Sequence, residues 1–163
     1  MGKIIKDGFM FMEYANAGLI RKVDDILELK YELITLSETK THVEMSQYAL
    51  LLAEHILNFS GVERCQAIEN CFIINKKWQE GEAKFQEARD VAGVMNDLAR
   101  EEKDMIKVKV LRAMAQVAAT PHVKWHALGA SEFAVVIINL LYPKDFDKVR
   151  EEREFQIHLM ETV

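Results

Sequence analysis

The chain is poor in residues that break regular structure and in residues that cross-link it. Two prolines and seven glycines in 163 residues leave few turns, which excludes a chain of many short strands. Two cysteines, Cys65 and Cys71, exclude a disulfide scaffold and a zinc knuckle. They stand six apart on one helical pattern, so at about 100° per residue they face different ways and do not pair. Positive charge is in deficit too: 21 Lys and Arg against 26 Asp and Glu, a net charge of −5, without the basic footprint of a nucleic-acid binder. Long apolar runs are missing. The most apolar stretch, AVVIINLLY at 134–142, is too short to span a bilayer. The N-terminal MGKIIKDGFMFMEYANAG is interrupted by charge where a signal peptide needs a continuous apolar core. Together these absences predict a cytoplasmic protein with reduced thiols and neither a membrane nor a nucleic-acid partner.

What is present is helical periodicity. Half of the residues are hydrophobic and 29% are charged, the balance of a globular chain long enough to bury a core. In the first forty residues Leu19, Ile20, Val23, Ile26, Leu27, Leu29 and Leu33 recur mostly at helical spacing. THVE at 41–44 reads as a capping box, Thr41 at N-cap and Glu44 at N3, opening a helix that ends near Asn58 and Gly61. SGVE at 60–63 reads as a second box, opening a helix to about Trp78. Beyond Gly81 follow helices over EGEAKFQEARDVAGVMNDLAREE and DMIKVKVLRAMAQVAA. Thr120 at N-cap and Pro121 at N1 predict a helix that runs to Tyr142 and stops before Pro143. KDFDKVREEREFQIHLM closes the chain as a charge-rich helix, and its EEREFQIHLME reads as a solvated face with Phe155 and Leu159 on the bundle. The expectation is all-α: a single-domain bundle of six or seven helices over 1–163.

The densest polar signal is TPHVKWHALGA at 120–130. On a helical wheel His122, His126, Gly129, Phe133, Val136, Ile137 and Leu140 share one face. Lys124 and Ser131 then point away, and Glu132 and Asn139 sit to the side. The helix before it repeats the anomaly, with Arg112 and Gln116 on a face with Met105, Val108, Ala115 and Ala119. A buried guanidinium needs a partner, and Glu54, His55, Glu101, Glu102 and Glu132 are candidates. Three chemistries compete for this set. His122 and His126 are spaced to chelate one metal ion, but neither HExxH nor a Glu-x-x-His pair accompanies them. A catalytic pair lacks a phosphate loop, a nucleophile elbow or a Cys–His arrangement. The favoured reading is a satisfied polar network of Arg112, Gln116, Thr120, His122, His126, Glu54 and His55 that fixes helix register, with no catalytic residue and no cofactor. Trp78 and Trp125 read as core or boundary anchors, and the methionines of GFMFME as packing.

The same residues carry a family resemblance. LRAMAQVAATPHVKWHALGASEFAV resembles the C-terminal signature of a bacterial family named as immunity proteins of polymorphic toxin systems. That signature has an Arg-Ala, a run of small residues, then Ala-Thr-x-His-Val-x-x-His-Ala-x-Gly-Ala. Arg112, Ala113, Ala118, Ala119, Thr120, His122, Val123, His126, Ala127, Gly129 and Ala130 match it, while Gln116 stands where a small residue is expected. YALLLAEHILNF is similar to the family's Ala-Glu-His helix, with Glu54 and His55. KKWQEGEAKFQEAR resembles its Trp-x-x-Gly segment and Ala-Arg helix, with Trp78, Gly81, Ala88 and Arg89. EREFQ resembles its Glu-Arg-Glu-Trp-Gln, with Phe155 as the aromatic. The likeness covers about residues 45–157; residues 1–40 match poorly. It implies a helical, non-enzymatic, cytoplasmic protein that binds and neutralises a cognate toxin, and the acidic balance suits a basic one. Two other readings stand beside it: a small metal- or ligand-binding helical protein, enzymatic or not, using His122, His126 and His55; and a homodimer that buries the apolar segment 4–20.

Overall fold

The computed structural model describes residues 23–163, and each regular element among them is a helix. They are α1 (Leu27–Ser37), α2 (His42–Ser60), α3 (Gln66–Gln79), α4 (Phe85–Glu101), α5 (Met105–Ala119), α6 (His126–Leu141) and α7 (Phe146–Glu161). The all-α expectation therefore holds for the described chain. Leu19, Ile20, the methionines of GFMFME and the segment 4–20 lie outside the described residues. Val23 and Ile26 precede α1 rather than belonging to it.

Local chemistry sets most helix ends. The Thr41 hydroxyl accepts from the Glu44 N–H at 3.1 Å and the Glu44 carboxylate accepts from the Thr41 N–H at 2.7 Å, closing the capping box that starts α2. Gly61 ends it in the left-handed region at φ +70°, its N–H on Leu57 O, the conformation that glycine takes without steric cost. This corrects the second capping box. Ser60 is the last residue of α2, its hydroxyl accepts from the nearby Val62 N–H, and α3 begins only at Gln66. Carboxylates also cap α5 and α7: Asp104 accepts from the Lys107 N–H and Asp145 from the Lys148 N–H.

The Thr120–Pro121 start signal is likewise corrected. Thr120 closes α5, its hydroxyl donating back to Gln116 O at 3.0 Å. Pro121 then does what proline does after a helix end, and α6 begins only at His126. His122 therefore sits in the intervening turn, exposed, and the wheel does not place it.

α5 and α6 form the centre of the bundle. α5 packs on α2, α3, α4 and α6, while α6 packs on α2, α5 and α7, with α1 lying along α7. Ala113, Ala115 and Ala118 of α5, with Ala127, Ala130 and Ala134 of α6, are all buried, so small residues set the close approach of the central pair. Burial wraps α6 on nearly all sides. Ser131 and Glu132, expected off the buried stripe, are 0% and 3% exposed. Cys65 is exposed and Cys71 buried, both free; burial pushes the Cys71 thiol up to about 12. No helix among the described residues is long and apolar enough to cross a membrane.

Candidate functional site

The structure divides the seven polar residues singled out by sequence between several places. Gln116, Thr120, His122 and His126 gather at the α5–α6 turn. His126 Nδ1 lies 2.8 Å from Gln116 Oε1, so the ring donates to the amide oxygen, and Thr120 O lies 2.7 Å from His42 Nε2. The His122 ring stacks between Phe85 at 5.4 Å and His126 at 6.3 Å between centroids. Arg112 turns to α4 instead, donating to Asn96 Oδ1 at 2.7 Å rather than to any of the five acids and histidines proposed for it. Glu54 points outward to an ion pair with Arg64. His55 meets Glu152. Among the described residues no group of three or more His, Cys, Asp or Glu is arranged to hold a metal ion.

Burial first, and the neighbouring His122 second, lower the His126 pKa to about 4. Its folded value thus lies below its unfolded value, so between about pH 6.5 and 4 the unfolded chain binds the extra proton. Stability falls as pH drops through that window and this contribution levels off below it. Urea midpoints at pH 7 and pH 4.5 are expected to differ less in His126→Gln than in the unmodified chain. An equal difference would remove His126 as a source of the slope.

A second, more deeply buried polar cluster among the described residues lies elsewhere, and sequence reasoning missed it. Arg153 of α7 is completely buried. Its Nε and one terminal nitrogen donate to the two carboxylate oxygens of Asp25 at 2.9 and 2.6 Å. The same terminal nitrogen reaches Glu132 Oε1 at 2.8 Å, and the other donates to Gln156 Oε1 at 3.0 Å. Lys30 closes the cluster on Glu132 Oε2 at 3.2 Å. Burial alone would lower the Arg153 pKa, but Glu132 and Asp25 outweigh it and raise it. Burial likewise would raise Asp25, yet the hydrogen bond and charge of Arg153 hold its carboxyl below the ordinary value. Arg153 and Asp25 therefore stay ionised, and the guanidinium fork ties α7 to Glu132 of α6 and to Asp25 just before α1. Tyr48 adds its hydroxyl to Ser131 Oγ at 2.6 Å beside it, and burial raises that phenol's pKa.

This cluster backs an open groove. From Gln156 the hydrogen bonds continue outward: its Nε2 donates to Glu152 Oε1 at 2.8 Å and to Ser131 O at 3.1 Å. Glu152 Oε2 accepts from His55 Nε2 at 2.6 Å, which fixes the proton on Nε2. The His55 ring is held between Phe155, stacked at 4.0 Å, and Phe59, edge-on at 4.9 Å. His55, Phe59, Ile138, Tyr142 and Phe155 are its apolar and aromatic lining, and the cavity is about 260 Å³. Lys148, Glu151 and Glu152 supply its charge. The supposed solvated face of α7 thus needs correction: Glu152, Arg153 and Gln156 are buried, while Phe155, expected on the bundle, is 40% exposed. The signal that could have found this was EREFQ, which holds Glu152, Arg153, Phe155 and Gln156 in one string.

A groove of aromatic rings around a fixed imidazole, backed by a paired ionic core, is set into an all-α bundle. The chain belongs to the Imm-5 like putative immunity protein family, whose model matches residues 35–163. No curated protein and no solved structure matches the chain.

Proposed function

We propose that this protein is a cytoplasmic immunity protein that binds a cognate bacterial toxin domain and blocks its action without catalysis of its own. Membership of the immunity family over residues 35–163 carries the reading. The geometry supports it in kind. The imidazole of His55 and the carboxylate of Glu152 are committed to each other, and the groove around them offers exposed aromatic area, the surface type that dominates protein–protein recognition. The net charge of −5 favours a basic toxin through long-range attraction.

The test is direct. A toxin domain, if one is encoded in a reading frame adjacent to this one, is expected to elute with this protein as one complex in size-exclusion chromatography. Separate elution at micromolar concentration, with both proteins folded, would overturn the assignment.

A further inference from the structure

We infer that the groove between α2, α6 and α7 is the docking site for a lysine- or arginine-bearing loop of the partner protein, an inference that rests on the immunity reading above. At about 260 Å³ the groove is below the roughly 300 Å³ at which small-molecule pockets ordinarily begin, and it is open rather than enclosed. It has room for a partner's side chain more than for a cofactor.

Its chemistry selects that side chain. Phe155 and Tyr142 are 40% and 44% exposed at its walls, flat rings that attract a cation over their faces. Two carboxylates, Glu151 and Glu152, line it against one base, Lys148. Lys148 itself shows how a cation sits here. Its ammonium lies 5.5 Å from the Tyr142 ring centroid and 3.0 Å from Glu151 Oε2. That pair is exposed, so it is weak and screened, and a partner's guanidinium replaces the lysine on the same ring and carboxylate. Glu152 is fixed in place by His55 and Gln156, so the wall of the groove is set before the partner arrives and little ordering is lost on docking. An acidic partner would meet the exposed Glu151 carboxylate, and a wholly apolar one would bury Glu151 and Lys148 without adding a partner for either.

The experiment takes a toxin domain found by screening neighbouring reading frames for one that this protein neutralises, and titrates it into the unmodified protein and into Glu151→Lys, Phe155→Ala and Glu63→Lys. The last changes net charge as Glu151→Lys does, at an exposed position in the α2–α3 connection. Helix content and thermal midpoint are read for each, since Glu151 and Phe155 are exposed and neither change removes core. Both groove variants are expected to bind at least about tenfold more weakly, with Glu63→Lys within about threefold of the unmodified chain. Binding by the unmodified protein that neither groove change weakens would overturn the docking site and leave the immunity reading standing. Equal weakening by Glu63→Lys and Glu151→Lys would reduce the effect to overall charge and overturn it as well. Absence of binding by the unmodified, folded protein would overturn the immunity reading and the groove with it.

Discussion

Arg153→Leu is expected to lower the unfolding free energy by about 3–5 kcal/mol, read as a shift of the urea midpoint at pH 7. The guanidinium makes four hydrogen bonds, two to Asp25, one to Glu132 and one to Gln156, from a side chain with no solvent contact. Leucine replaces only the aliphatic stem, leaves the guanidinium's space empty, and leaves the Asp25 carboxylate without its fork and Glu132 with Lys30 alone. A buried charge stripped of its partner costs more than the pair contributed, which is why the single change is worse than replacing the whole cluster with apolar residues. Arg153→Lys keeps the charge and loses the planar fork, so it recovers only part of the loss. The pH dependence follows with a definite sign. Asp25 is held below its ordinary value of 3.8, so its contribution is full above that value and is lost as pH falls through the lower folded one. Without Arg153 burial raises the Asp25 pKa, and acid destabilisation begins at a higher pH. A loss under about 1 kcal/mol would show that water or rearrangement already satisfies these carboxylates.

Gly129→Ala is expected to destabilise by about 1–3 kcal/mol although alanine ordinarily favours a helix over glycine by close to 1 kcal/mol. An added Cβ would lie 2.5 Å from Gln116 Oε1 and 3.0 Å from its Cδ. The amide has to move, and although it ends a flexible side chain it is buried and hydrogen-bonded to His126, so the move strains or breaks that bond. Gly93 of α4 provides the contrast. Nothing lies within 4 Å of a Cβ there, so Gly93→Ala should show the bare helix preference and raise stability. The double variant Gln116→Ala/Gly129→Ala removes the collision and is expected to lose less than the sum of the single changes. Full additivity would dissociate Gly129 from Gln116.

These two sites also show what was legible in the sequence. Helix content and most boundaries were, because Thr41 with Glu44, Gly81 and Pro143 act within a few residues of themselves. The Thr120–Pro121 pair misled because its pieces serve either end of a helix. A threonine hydroxyl can cap the following turn or donate back to the preceding one, and only the packing of Ala119 and Thr120 into the core decides. Gln116 was recognisable as a departure from a small residue, and its side chain occupies the room that Gly129 leaves. Arg153 was hidden for a different reason. In EEREF it is surrounded by charge and looks solvated, while its partners Asp25 and Glu132 lie 128 and 21 residues away. No periodicity reports a contact of that range. His55 was picked out but given to the wrong neighbours, since the face of α2 that meets α7 is set by tertiary packing.

The most direct measurement of the protein's role is growth of a host that expresses a toxin domain encoded in a neighbouring reading frame, with and without this protein. Growth restored by the unmodified chain, and weakened by the groove variant Phe155→Ala at equal soluble expression, is the predicted result. A culture that stays arrested while the folded protein accumulates would contradict the immunity role.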